Sequence, residues 1–482
     1  MCSGDSLRNR EALVAEKQEV TMKKKIISFL CLTATLVGLF SGCKPAEEKK
    51  EVCTTPLLRI GILSDVHVSR SVWGEQQHDR LEKALRFFKA KGVDGVMITG
   101  DMQENTDAAV AMVNIEELVD IWFDVFPDNT NDLTGEHVEP LFIYGNHDIG
   151  LVDSVYWPER LGTYEDAWIK EIKGYQFVGV HFSKEATNLA ANLVNKAEAL
   201  SQGKPFFFMQ HQPIANTVIG EEEGLRGAGV PMFDVMKKMS NAVVFSGHTH
   251  IPITDERSIW QSNGKKDAQF TAINCATINY GWLKNYSDLS INGDPDDTQQ
   301  GMYMVVDGNI VTLERYSFYG MKIDYTQDPP AINADEATSL GADWKFDPTQ
   351  NKNRPYDYTT RLEAAGQPVF AEGGEIEISS VGATYVNIFL PYATVDASEG
   401  YSDIIQSYYA EVVDPETGEV VSVAELASEH HVDISDIRMQ KQAYLCLSGL
   451  QPGKTYILNA YARESYQKTS QPLTVEFTTT AE

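Results

Sequence analysis

The sequence predicts an α/β domain followed by an all-β sandwich. Three observations carry that reading. Short apolar runs alternate with amphipathic stretches from Leu57 to about residue 250; beyond it strands follow one another with turn signals between them; and a last segment, 367–482, holds strands with one helical candidate, Val423–Glu429. A length of 482 residues suits two or three domains, and 43% hydrophobic with 23% charged residues suits a folded core.

The elements justify this in order. Leu58–Leu63 is a strand; Asp79–Lys91 is a helix, with Leu81, Ala84, Leu85 and Phe88 at helical spacing; Val93–Ile98 is a strand; and Asp107–Phe126 is a long helix. Strands are expected at Pro140–Tyr144, Tyr175–His181, Phe206–Met209 and Ala242–Phe245, in a partly parallel sheet whose ligands sit beyond the carboxyl ends of the strands. Gln269–Asn279, Met302–Asp307 and Asn309–Phe318 continue as strands, the last two joined through Asp307-Gly308-Asn309. Residues 325–366, rich in Pro, Asp, Asn and Thr, read as a linker or strap. The final segment offers strands at Glu375–Ser379, Thr384–Pro391, Tyr408–Val413, Gln442–Leu447, Thr455–Arg463 and Leu473–Thr478. The expected organisation is therefore 1–43 leader, 44–56 tether, 57–324 catalytic domain, 325–366 strap and 367–482 sandwich.

The leader has a basic start at Lys23-Lys24-Lys25, an apolar run from Ile26 to Phe40, and Ser41-Gly42-Cys43. That is the pattern of a secretory signal, shorter than the roughly 20 residues of a spanning helix. Met22 directly precedes the lysines and offers a second start. Small residues before a cysteine resemble a bacterial lipoprotein signal. The resemblance implies lipid on Cys43 and an exported chain held on a bacterial membrane, periplasmic or at the cell surface; an ordinary cleaved signal is the alternative. Cys2 and Cys31 fall in the leader, and Cys53, Cys275 and Cys446 are too scattered for a disulfide framework or a zinc knuckle. Acidic residues outnumber basic ones 69 to 40, a formal charge of −29, so binding to a nucleic-acid polymer is not expected.

Five short motifs end or follow the expected strands, and each carries metal-competent side chains: Asp65-Val66-His67, Gly100-Asp101, Gly145-Asn146-His147-Asp148, His211, and Gly247-His248-Thr249-His250. Two residues apart on a strand share a face, so Asp65 and His67 are expected to project together. Mixed oxygen and imidazole donors suit Mn, Fe, Zn or Co. Two cations roughly 3.5–4 Å apart neutralise a phosphoester and supply a nucleophile near neutral pH.

The order and types of these motifs closely resemble the calcineurin-like metallophosphoesterases over residues 57–320. The resemblance implies a four-layer α/β/β/α sandwich and two metal ions, divalent or trivalent, with Mn, Fe or Zn expected. Asp65, His67 and His250 would hold one ion; Asn146, His211 and His248 the other; Asp101 would bridge them. His147 would face the leaving group as proton or hydrogen-bond donor, oriented by Asp148, while a metal-bridging hydroxide attacks phosphorus in line. Histidine in the first motif separates the chain from purple acid phosphatases. The motifs do not choose between monoesters and diesters, and the reading leans to diesters of a small phosphorylated substrate. Leu450-Gln451-Pro452-Gly453-Lys454-Thr455-Tyr456 resembles the corner of a fibronectin type III domain, with Tyr385 or Phe389 in place of the family's early tryptophan. A surface-anchored binding protein with a vestigial phosphoesterase domain is the competing function. Trp73, Tyr156, Trp157 and Tyr280 are candidates for the pocket wall or for packing; His181 is expected to be structural, His78 and His137 solvated, and His430-His431 to belong to the sandwich.

Overall fold

Strands that are apolar at almost every position can only be stable when covered on both faces, and the centre of the α/β domain is built from such strands. In the computed structural model, which describes residues 57–69, 74–148, 166–182, 186–219, 230–262, 268–281, 298–350, 354–395, 404–428, 443–466 and 468–482, Leu58–Leu63 (β1), Gly95–Ile98 (β2) and Glu139–Phe142 (β3) run parallel to one another. The leader and tether with Cys43, and Trp73, Tyr156, Trp157 and His430-His431, lie outside the described residues. Among those described, no helix is long and apolar enough to cross a membrane.

Gln300–Asp307 joins the first sheet antiparallel to β1 and forms a hairpin with Ile310–Ser317 through Gly308, at φ 59°, and Asn309. The second sheet holds Ala167–Ile172, Tyr175–Val180, Phe206–Met209 (β4), Ala242–Ser246 (β5), Thr271–Asn274 and Ile259–Gln261, with β4 and β5 parallel at its centre. Ile60, Ile62, Met97, Leu141 and Met302 of the first sheet pack on Phe177, Phe207, Met209, Val243 and Phe245 of the second.

Helices cover the outer faces. Gly74–Lys91 (α1) and Ala108–Val125 (α2) bury Leu81, Leu85, Phe88, Ile115 and Trp122 on the first sheet. Ala186–Ser201 (α3) and Val230–Met236 (α4) bury Ala190, Val194, Met232 and Met236 on the second. The layers run α/β/β/α, as expected. Helix α2 starts where the sequence places it, because the Asp107 carboxylate accepts from the N–H groups of Ala109 and Val110.

Residues 325–366 do more than link. Trp344–Phe346 pairs with Ile310–Ser317 and turns Trp344 and Phe346 into the core, and Tyr358–Ala364 forms a short helix capped by Asp357. Such short pieces are below what periodicity resolves.

The C-terminal segment is all β. Glu377–Val381, Tyr385–Leu390 and Ala443–Ser448 form one sheet; Val420–Ala427, Ile405–Val413, Thr455–Glu464 and Leu473–Thr478 form another, and Val386, Ile388 and Leu445 face Tyr408, Val412 and Leu458 between them. Two expectations are corrected. The stretch expected as helix, Val423–Glu429, is strand up to Ala427, since its apolar positions satisfy either period and pairing with Ile405–Val413 decides. Tyr385 is 39% exposed and Phe389 lies against Tyr444 on the outward face; the buried ring is Tyr408, near Phe370 and Tyr392. Tyr456 is buried, and its hydroxyl accepts from the Gln451 N–H at 3.0 Å.

A polar joint ties sandwich to α/β domain. Asp255 accepts from Gln406 Nε2 at 2.9 Å and from Arg257, and the Glu256 N–H donates to Ser465 Oγ. The Glu256 carboxylate takes Arg315 at 2.8 Å, Trp344 Nε1 at 3.2 Å and Arg361.

Candidate metal centre

Parallel strands of both sheets deliver their carboxyl ends to one edge, and the seven candidate donors stand on the loops there: Asp65 and His67 after β1, Asp101 after β2, Asn146 after β3, His211 after β4, and His248 and His250 after β5. Five of them adopt left-handed backbone, with φ of 51° at Asp65 and His67, 48° at Asp101, 71° at His248 and 53° at His250. Asp, Asn and His tolerate this region better than other side-chain-bearing residues, yet so many together mark a site where the surroundings hold strain in place. Asp65 and His67 therefore converge through tight turns beyond the strand, not through strand alternation. The loops are lashed to each other by Asp65 N–H to Gly100 O at 3.1 Å and His67 N–H to Asp101 O at 2.9 Å.

Glycine is required where these loops cross. A Cβ on Gly100, at φ 105°, would strike the His211 ring, and one on Gly247 would strike Ser64 and the Asp65 carboxylate.

The donors converge in two groups that share one carboxylate. Asp65, His67, Asp101 and His250 form the first: Asp65 Oδ1 lies 3.2 Å from His250 Nε2, His67 Nε2 lies 3.2 Å from His250 Nε2, and His67 Nε2 lies 3.9 Å from both Asp65 Oδ1 and Asp101 Oδ2. Asp101, His211 and His248 form the second, with Asp101 Oδ2 and Asn146 Oδ1 each 3.1 Å from His211 Nε2. Three of the imidazoles are fixed through Nδ1: His67 on Glu104 Oε2 at 2.7 Å, His211 on the Thr99 carbonyl at 2.9 Å and His250 on the Tyr280 carbonyl at 2.8 Å. That leaves each Nε2 aimed inward, the arrangement that orients imidazole ligands. Borderline nitrogen and oxygen donors in these numbers fit two divalent ions of the Mn, Fe or Zn kind.

Charges follow from the crowding. Burial opposes ionisation of Asp65, but His250, with His211 and His67, holds its carboxyl well below the usual range. The same balance, with His211 as the main partner, lowers Asp101. Burial works against protonated His211, yet Asp101 and Asp65 raise it to about 9; burial and His211 lower His248 to about 4. Carboxylates are thus ionised and imidazoles compete for one proton inventory, which a cation would displace.

His147 sits at the rim with its side chain 30% exposed, its ring edge-on to His67 at 4.9 Å. The expected orienting role of Asp148 is corrected. Asp148 accepts from the N–H groups of Gly145, Met102 and Gln103 at 2.8, 3.1 and 3.2 Å, so it fixes the loop; His147 Nδ1 instead faces the Glu104 carbonyl at 2.8 Å. Burial and Asp101 push Asp148 up to about 7 in spite of those bonds.

Three participants carried no clear sequence signal. Glu104 looks like one more surface acid. Gln103, fully buried, donates to the carbonyls of Asn105 and His147. The stretch from Asn274 to Asn279 stitches both ligand loops: Ile278 N–H to Ser64 O, Thr277 Oγ1 to Asp65 O, Asn279 Nδ2 to Val66 O and Asn274 Nδ2 to Ile251 O. Tyr280, a candidate for wall or packing, stacks on His250 at 4.3 Å. His181 is packed, accepting from the Tyr144 N–H through Nδ1 at 2.9 Å. His78, expected to be solvated, is paired with Glu117 at 2.6 Å, whereas His137 is 59% exposed.

Residues 58–252 match the family described as calcineurin-like phosphoesterase. Among solved structures, a dimetal phosphatase from Danio rerio is 9% identical, covers 59% of this chain and 98% of its own, and has a TM-score of 0.38. A predicted phosphoesterase from Streptococcus pneumoniae TIGR4 is 11% identical, with 60% and 99% coverage and a TM-score of 0.27. Vacuolar protein sorting 29 from Cryptosporidium parvum is 14% identical, with 60% and 98% coverage and a TM-score of 0.28. No curated protein matches. The α/β domain has the calcineurin-like fold, and its buried Asp/His cluster fits a dinuclear-metal phosphoesterase.

Proposed function

We propose that the chain hydrolyses small phosphoesters with two metal ions, and the observation that supports this most is the pair of donor groups sharing Asp101. Asp65, His67 and His250 would hold one ion, Asn146, His211 and His248 the other, and Asp101 both, since a carboxylate has two oxygens. Bound there, the ions would neutralise phosphoryl oxygens and make a water-derived nucleophile available near neutral pH.

The chain's own residues do the rest. Glu104, Thr99 O and Tyr280 O hold the Nε2 atoms of His67, His211 and His250 inward. His147 donates its Nδ1–H to the Glu104 carbonyl, and in its doubly protonated form would present Nε2–H to the leaving oxygen as a proton or hydrogen-bond donor. Asp148 keeps the Gly145–His147 turn in place through three backbone N–H groups. Within this reading we favour phosphodiesters, a lipid-anchored chain attached through Cys43, and a fibronectin type III-like sandwich, the last supported by the Tyr456 corner.

The test is metal analysis of protein purified without added metal, followed by a panel of mono- and diesters with Mn present. Two ions per chain and turnover of diesters are the expected results. Turnover of aryl monoesters alone would remove the diester preference, and no turnover by metal-loaded protein would favour the surface-binding function.

A further inference from the structure

The metal donors grip the phosphoryl side of an ester, and the alcohol side must lie beyond the leaving oxygen, next to His147. Two other groups border His67 there. Glu104 keeps its side chain 45% exposed, and Tyr280 lays its ring 5.5 Å from His67 and 4.3 Å from His250. Glu104 spends one carboxylate oxygen on His67 Nδ1 at 2.7 Å; the other, Oε1, lies 4.0 Å from His147 Nδ1, outside hydrogen-bonding range. An acceptor with a full negative charge thus stands at the mouth of the centre, on the side where the alcohol must emerge.

We propose that Glu104, with Tyr280 beside it, makes the site select phosphoesters whose alcohol carries hydrogen-bond donors, hydroxyl or ammonium, over those whose alcohol carries a second anionic group. The selection rests on the phosphoesterase reading above. A donor on the alcohol can bond to Oε1. A carboxylate or second phosphate in the same place meets like charge a few ångströms away, in a half-buried setting where such contact weakens binding by about tenfold or more. The phosphoryl group and its contacts are common to both kinds of substrate, so they drop out of the comparison. Glutamate's second oxygen is therefore a filter, while its first is a brace for His67.

The experiment uses a matched pair, glycerol 2-phosphate and 2-phosphoglycerate, which differ only by a hydroxymethyl group against a carboxylate, together with the methyl diesters of both. Full-length protein loaded with Mn should favour the glycerol compound of each pair by about tenfold or more in kcat/KM. Glu104→Gln should bring that ratio down about tenfold, whereas Glu104→Asp should keep the preference. A ratio cancels any common loss through His67 or the metal, so a merely structural role for Glu104 would leave it unmoved. Equal rates in the wild type, or an unchanged ratio in Glu104→Gln, would overturn the filter. Hydrolysis of none of the four compounds would instead overturn the phosphoesterase reading, and the filter with it.

Discussion

The metal centre and the joint with the sandwich are both dense clusters of buried polar groups, and they settle their charges in opposite ways. At the joint, Asp255 and Glu256 face Arg257, Arg315 and Arg361, all at most 5% exposed, and opposite charges meet directly. At the centre, Asp65 and Asp101 face imidazoles whose inward nitrogens come within 3.2 Å of each other, and no lysine or arginine contacts either carboxylate among the described residues. The backbone differs too: the centre is left-handed at five donors, while Asp255 and Ile259, which bracket the joint's short turn, are extended. One cluster pairs its charges within the protein. The other is arranged for something that the protein does not itself supply.

The largest expected effect follows from that incompleteness. Asp101→Asn removes the one carboxylate common to both donor groups, so the metal content should fall below two ions per chain and kcat should drop by about a hundredfold or more. Metal analysis alongside turnover of a phosphodiester checks both. Retention of two ions at full occupancy would break the contrast, since the centre would then not depend on its shared donor.

At the joint the same kind of change should act on stability. Glu256→Gln strands two buried guanidinium groups and should cost about 3–5 kcal/mol in denaturant unfolding, with turnover per folded molecule near that of the wild type. Asp101→Asn in metal-free protein should cost less, because the imidazole of His211 that faces Asp101 can give up its proton, whereas the guanidinium groups at the joint cannot. Equal losses from the two substitutions would erase the difference between the clusters. A third measurement sharpens it: Mn at about a hundred times its Kd should stabilise the wild type by about 2.7 kcal/mol and Asp101→Asn hardly at all.

How far the sequence revealed these clusters follows from the same distinction. Metal donors announce themselves because their chemistry demands particular residue types, and glycines beside them because a Cβ at Gly100 or Gly247 has no room. The joint gave no such sign. Asp255-Glu256-Arg257 reads as an ordinary charged turn, and Arg315 and Arg361 look like surface residues until the fold places them against Glu256. Glu104 was hidden for a related reason: its role depends on distance to His67, across loops from different strands, and not on spacing within its own. Layers and long elements were legible because their burial is periodic; the strand at Trp344–Phe346 and the one ending at Ala427 were not, because tertiary pairing chose between patterns the residues allowed equally.

The smallest expected effect concerns a histidine that belongs to neither cluster. His78 on α1 pairs with Glu117 at 2.6 Å and lies 3.5 Å from Glu82, with its side chain 38% exposed. The hydrogen bond to Glu82, and then Glu117, outweigh burial and raise it from 6.5 to about 9. A raised value means that the folded state favours the protonated ring. The stabilisation is therefore full below the unfolded value of 6.5, and is lost as pH climbs through about 9. For a group this exposed, solvent screening reduces the effect to about 1 kcal/mol. Unfolding of metal-free protein between pH 6 and 10 should show a decline that is smaller by about 1 kcal/mol in His78→Gln than in the wild type, because glutamine can bond to Glu117 but cannot titrate, while His211 titrates in both. An identical decline in both would place the titrating group elsewhere, with His211, raised to about 9 by Asp101 and Asp65, as the next group to test.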